Sequence, residues 1–221
     1  MENLAISPIS AQLTELVSAY AGLSYAGNGQ SCMTVKGRLV FEASSPGLEA
    51  ITDSFDIEIS IPATYPNELP VVKEVSGRIK EAWDHINPDG TLCLAVPMEQ
   101  RKTFNAQPTL LGFTDNLVIP YLYGYCYWEK HNSYPFGEAK HGAEGILDYY
   151  KQLFSSKDGK SIVRGLYRAY RYGYRGHHPC PCGSRKTTRQ CHKDTVWELT
   201  RQNLKQNLGS DLNIIITKLL H

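Results

Sequence analysis

The stretches MTVKGRLVFE (residues 33–42) and FDIEISI (residues 55–61) decide the fold class. In the first, Met33, Val35, Gly37, Leu39 and Phe41 share one parity, while Thr34, Lys36, Arg38 and Glu42 share the other. In the second, Phe55, Ile57, Ile59 and Ile61 alternate with Asp56, Glu58 and Ser60. A period of two sends one set into a core and the other into water, so both segments are predicted as half-buried strands. A weaker strand is expected near Pro70 to Val75, and short, turn-rich links predict an antiparallel meander. Helical spacing brackets the meander. Upstream, Ile9, Leu13, Leu16, Val17 and Tyr20 share a helix face, with Gly22 as a stop. Downstream, helices are predicted over residues 116–131, with Pro120 tolerable only near the first turns, and over 139–154, 161–172, 194–208 and 210–220. The expected class is α+β.

With 221 residues, 42% hydrophobic and 20% charged, the chain can bury one full core plus a small appendage, which excludes a disordered protein. The run from Asn213 to Leu220 is far shorter than the ~20 residues of a membrane span and carries Lys218. The opening MENLAISPIS has no basic patch ahead of an apolar core, so no secretory signal or membrane contact is expected and the localisation expected is cytoplasmic. Six cysteines are too sparse for a disulfide scaffold; clustered ones point to metal or catalysis.

Charge is unevenly divided. Residues 160–193 hold nine Lys and Arg and no Asp or Glu, whereas residues 1–159 hold 11 basic and 19 acidic side chains. This predicts an acidic main domain, residues 1–158, and a basic module, residues 159–221, joined at the loop SSKDGK.

The stretch from Asp84 to Pro108 shows no periodicity, and a long irregular segment inside a domain is often functional. Three motifs run in order: Tyr65-Pro66-Asn67-Glu68-Leu69-Pro70, then His85-Ile86-Asn87, then Gly90-Thr91-Leu92-Cys93-Leu94. Together they resemble the ubiquitin-conjugating enzyme family over roughly residues 8–155. The resemblance implies an N-terminal helix, an antiparallel meander, an active-site loop and C-terminal helices. It further implies that Cys93 carries the activated C-terminus of a protein as a thioester and transfers it to a lysine, since a thiol can accept an acyl group and release it to an amine. By the same resemblance Asn87 would donate its amide to the developing oxyanion and His85 would brace the loop. Glu138 and His141 are candidates for handling the lysine proton, or a pair on one helix surface.

Compact bacterial members with a shortened His-x-Asn loop are associated with antiphage operons of the CBASS type. The partners this implies are a donor protein (a ubiquitin-like protein or a cGAS-like nucleotidyltransferase), a lysine-bearing acceptor and an activating enzyme. Ile86 replaces the family's proline, and Asn87 lies closer to Cys93 than in the usual pattern. That departure keeps a second reading open, a non-catalytic adaptor of the same fold, with Cys93 as a buried packing residue. Cys126, among Tyr123, Tyr125, Tyr127 and Trp128, is expected in the core.

The segment HPCPCGSRKTTRQCH (residues 178–192) supplies Cys180, Cys182, Cys191 and His192. Four N/S donors within 13 residues suit tetrahedral zinc, and full protein ligation makes the expected Zn²⁺ structural. The segment resembles the SEC-C zinc motif, Cys-Pro-Cys-Gly-Ser-x-Lys followed by Cys and a final Cys or His. The basic module also interleaves Arg164, Arg168, Arg171 and Arg175 with Tyr167, Tyr170, Tyr172 and Tyr174. Such a pattern suits nucleic acid or a protein surface; the modest charge favours the protein surface, with a nucleic-acid-associated zinc protein as a third reading.

Overall fold

A computed structural model describes residues 8–27, 32–137 and 140–219, and the chain divides into two compact units. The first holds residues 8–95 and 103–137; the second holds residues 96–102 and 140–219.

The first unit opens with α1 (Ile9–Ala19) and continues through β1 (Leu23–Ala26), β2 (Met33–Ala43), β3 (Ile51–Ile61) and β4 (Val71–Glu74). Among the described residues these form a four-stranded antiparallel sheet in the order β1-β2-β3-β4, a meander as the alternation predicts. Register fixes which face is which. Met33 pairs with Ile61, Val35 with Ile59 and Leu39 with Phe55, and all six are buried. On the opposite face Lys36 pairs with Glu58 at 2.8 Å and Arg38 with Asp56 at 3.0 Å, so the polar parity is matched in charge across the strands. β1, which the sequence reading lacks, is short and buries only Leu23, too little for a period-two signal.

Three further helices belong wholly or in part to this unit. The stretch expected to be irregular contains α2 (Pro97–Ala106). Its sequence, PMEQRKTFNA, has two large apolar residues, Met98 and Phe104, at positions that do not share a helix face. α3 (Leu110–Phe113) runs through a π-helical turn (Thr114–Val118) into α4 (Ile119–His131), so the helix expected from residue 116 begins earlier. Pro120 follows directly on that wider turn, where the i−4 bond and clash of a normal helix are relaxed. Buried Leu13 and Leu16 of α1, and Leu117, Leu122 and Tyr125, complete the core over the sheet. Tyr65 of the proline turn is tied in through buried Gln12, whose side-chain oxygen accepts from the Tyr65 hydroxyl (2.7 Å) and from the Leu110 amide (3.0 Å).

The second unit is helical: α5 (Gly142–Leu153), α6 (Gly159–Tyr172), α7 (Lys193–Leu199) and α8 (Gln202–Leu219). Its core gathers Ile146, Tyr150 and Phe154 with Ile162, Leu166, Leu199, Leu208 and Leu212. The expected border at residue 158 therefore falls inside this unit, because α5 buries its apolar face against α6 and α8. The Tyr150 hydroxyl donates to Asp211 Oδ2 at 2.8 Å; Asp211 is fully buried, and its Oδ1 has no hydrogen-bond partner among the described residues. Burial pushes this carboxyl up to about 6, with the tyrosine bond opposing. The break between the last two helices comes at Thr200, whose hydroxyl donates to the carbonyls of Val196 and Trp197, and not at Gly209 as the spacing suggests. Gly209 lies within α8 against the ring of Tyr170.

Candidate functional site

Residues 85–93 form a miniature hairpin. Ile86 and Leu92 make an isolated antiparallel bridge, Asn87 N–H donates to Thr91 O at 2.8 Å, and Cys93 N–H donates to His85 O at 2.9 Å. The turn reverses at Gly90, whose φ of 80° is the left-handed region that glycine adopts without strain. Asp89 accepts from both the backbone and the hydroxyl of Thr91, at 3.0 and 2.6 Å. Leu92 N–H donates to Val72 O at 2.8 Å, which fastens the hairpin to β4.

Three of the expected catalytic residues are therefore brought together in one loop. Cys93 is half-buried, neither sealed in the core nor fully exposed. Burial pushes its thiol above the ordinary range. Asn87 is exposed, and its side-chain amide donates to Thr91 Oγ1 at 2.9 Å, within the turn. The carbonyl of His85 accepts a second bond, from the Tyr121 hydroxyl at 2.8 Å, and that hydroxyl in turn accepts from Trp83 Nε1 at 2.9 Å. The His85 ring packs against Trp83 and Tyr134, with centroids 4.8 and 5.8 Å away.

Trp83, Tyr121 and Tyr134 are thus supporting residues that sequence reasoning missed. Of the three, only Tyr121 falls in the aromatic run of residues 121–128, which reads equally well as core. Cys126 is buried, with its sulfur 3.3 Å from Asp53 Oδ2. His141 precedes α5 and is exposed; it belongs to the second unit, whereas Cys93 belongs to the first. Glu138 lies outside the described residues.

In the second unit Cys180, Cys182, Cys191 and His192 converge, their donor atoms all within 4.8 Å of one another. Cys180 Sγ lies 3.2 Å from His192 Nδ1, Cys182 Sγ 3.4 Å from Cys180 Sγ, and Cys191 Sγ 3.6 Å from Cys182 Sγ. Tetrahedral zinc with ~2.3 Å Zn–S bonds sets sulfurs ~3.8 Å apart, so this cluster can hold a metal ion of that kind with small adjustments. Burial alone would raise Cys182, but donors from Ser184, Cys180 and Cys191 bring its thiol down to about 6, while burial drives Cys180 up to about 12. One sulfur of the set is thus ready to lose its proton to a metal.

The loop that presents these donors is built locally. Pro179 and Thr187 make an isolated antiparallel bridge, Cys180 N–H donates to Lys186 O, and Thr187 with Gln190 forms a reciprocal cap. Ser156 donates to Cys182 O at 2.8 Å, and the Phe154 ring meets that of His192 at 5.2 Å. α6 accommodates the loop at Gly165, where a Cβ would lie 2.6 Å from Cα of Pro181, so the glycine is required for this approach.

No protein-family model matches the chain, and no curated protein matches it. Among solved structures it is similar to the yeast vps23 UEV domain in complex with a vps27 PSDP peptide. That similarity has 15% identity and a TM-score of 0.33, over 54% of this chain and 83% of the other. At that score the likeness bears neither fold nor function, and the site is read from its own residues. Among the described residues no helix is long and apolar enough to cross a membrane.

Proposed function

We propose that the first unit is a ubiquitin-conjugating-like acyl carrier and that the second is a structural zinc module. The observation that carries this reading is the half-exposed Cys93 thiol at the closing pair of a hairpin whose His85 carbonyl is held twice. The thiolate attacks the carbonyl carbon of an activated carboxyl on a donor protein, an acyl adenylate or another enzyme's thioester. A C–S bond forms, the AMP or thiol leaves, and the thiol proton goes to solvent. A lysine amine then attacks the thioester; the C–N bond forms, the C–S bond breaks, and the sulfur recovers a proton. A thiol held above its ordinary pKa is a poorer leaving group, which slows loss of the acyl group to water before the amine arrives.

The motif resemblance extends the reading to bacterial antiphage conjugation, with a ubiquitin-like protein or a cGAS-like nucleotidyltransferase as donor. His85 braces the loop, and His141 and Glu138 remain candidates for the lysine proton. The zinc assignment rests on the three-sulfur, one-nitrogen donor set, whose four ligands leave no open position.

The test is Cys93→Lys expressed in cells. The lysine should accept the donor as a stable isopeptide that survives reductant, and the mass of the adduct would name the donor. A clean, unmodified band would instead support the adaptor reading, which the donation of the Asn87 amide to Thr91 favours.

A further inference from the structure

We propose that the solvent face of α6, together with the basic notch beside it, binds single-stranded nucleic acid. This inference is independent of the acyl-transfer reading. Along α6, Lys160, Arg164, Tyr167 and Arg171 recur at spacings of three or four, opposite the buried Ile162, Leu166 and Ala169. They make one stripe about 16 Å long at ~1.5 Å per residue. Beside it lies a notch of about 10 Å³ whose lining includes Arg168, Arg175 and His178 together with Gly165 and Pro181, with cationic side chains available to a phosphate oxygen.

This charge is little compensated: Asp158, which caps α6, feels the charge of Arg164 but forms no ion pair with it. Among the described residues, none of the nine Lys and Arg in 160–193 forms an ion pair. Elsewhere in the same unit Lys102 pairs with Glu198, Lys140 with Glu144 and Lys151 with Asp148, while Lys157, Lys205 and Lys218 form no ion pair among the described residues. What sets α6 apart is continuity: its unpaired cations recur along one helix face, an arrangement suited to a polyanion.

Exposed rings then separate nucleic acid from an acidic protein. Tyr167, one turn from both Arg164 and Arg171, is 50% exposed, and Tyr172, whose ring meets that of His178 at the notch, is 60% exposed. The other two tyrosines of the pattern are less open, Tyr170 at 37% beside Gly209 and Tyr174 packed partly against the core, so Tyr167 and Tyr172 are the rings that could stack. Phosphate-binding cations alternating with open aromatic faces fit a backbone whose unstacked bases can lie on the rings, which a duplex cannot offer.

Fluorescence anisotropy tests this with the full, zinc-loaded chain and fluorescein-labelled 20-mers of dT and rU, a 20-bp duplex, and polyglutamate of matched length. Both single strands should bind more tightly than the duplex or polyglutamate. Four phosphate contacts predict that log Kd rises with log[salt] with a slope of about 3. Arg164→Gln with Arg171→Gln should lower that slope by about 1.4. Tyr167→Ala should weaken binding roughly five- to tenfold with the slope unchanged, and Tyr167→Phe, which keeps the ring, should restore it. Zinc content and circular dichroism at wild-type values establish that each variant is folded, and Cys93→Ser should bind as wild type does. Absence of binding at 50 mM salt, equal affinity for polyglutamate or the duplex, or indifference to all three variants would overturn the proposal.

Discussion

The Cys93 hairpin and the Cys180–His192 loop use the same backbone device for different chemistry. Each is closed by an isolated antiparallel bridge, Ile86 with Leu92 and Pro179 with Thr187. Each turns at a glycine with positive φ, Gly90 and Gly183. In the first, the polar side chains Asn87, Asp89 and Thr91 satisfy one another, and a single sulfur is left beside the turn. In the second, three sulfurs and a nitrogen point at one another. On the proposed reading, a lone thiol raised by burial would hold its proton until a reaction takes it, whereas a crowded set with one lowered member would give protons up to a metal. What a cysteine does here is set by the donors around it and not by the turn that presents it.

Metal removal probes that contrast most strongly. Structural zinc contributes an apparent ~10–16 kcal/mol in small modules, as much as an ordinary domain's whole stability. Chelation should therefore raise amide exchange throughout residues 176–192 by several orders of magnitude, while the Cys93 hairpin keeps its protection. Equal loss of protection in both loops would end the idea that only one depends on a metal.

A smaller effect separates the cores behind the two loops. Asp211 is buried and accepts from Tyr150, and burial pushes its carboxyl up to about 6 against the opposing tyrosine bond. A raised carboxylate pKa means that the folded state holds a proton which the unfolded state releases. The stabilising contribution is thus complete below about pH 4 and is lost as pH rises through about 6. A carboxyl moved from its ordinary range to about 6 corresponds to about 3 kcal/mol. Asp211→Asn should raise the denaturation midpoint of the second unit at pH 8, and the gain should vanish near pH 4. A gain independent of pH would show that packing, and not charge, sets the cost.

Legibility in the sequence followed the range of the interactions. The parity of Met33 to Phe41 and of Phe55 to Ile61 was readable because a strand's burial repeats every second residue, and the register then paired Lys36 with Glu58 and Arg38 with Asp56. The four metal donors were readable because they sit within 13 residues and act through spacing alone. What stayed hidden is non-local or aperiodic. The bond from Tyr121 to His85 spans 36 residues, that from Trp83 to Tyr121 spans 38, and that from Tyr150 to Asp211 spans 61. Such contacts leave no pattern in either partner's neighbourhood. α2 stayed hidden for the other reason, since its two large apolar side chains do not fall on one face.

The smallest expected effect decides what Asn87 is for. An oxyanion donor typically accounts for ~10²–10³ in rate, whereas one hydrogen bond within a turn is worth about 1 kcal/mol. In the folded loop the Asn87 amide donates to Thr91 Oγ1 at 2.9 Å, and that hydroxyl is itself bound to Asp89. That bond engages one of the two amide N–H groups and fixes where the other points, so the amide is oriented by the turn. Asn87→Ala should accordingly slow aminolysis of a Cys93 thioester by less than about tenfold and lower stability by about 1 kcal/mol. Thr91→Val, which removes the hydroxyl from the same bond, should do much the same. If Asn87→Ala instead cost a hundredfold or more in rate while Thr91→Val cost little, the amide would be acting on the reacting carbonyl. The hairpin would then be a catalytic loop in its own right, and the contrast with the metal loop would lie in what the turn offers as well as in what surrounds the sulfur.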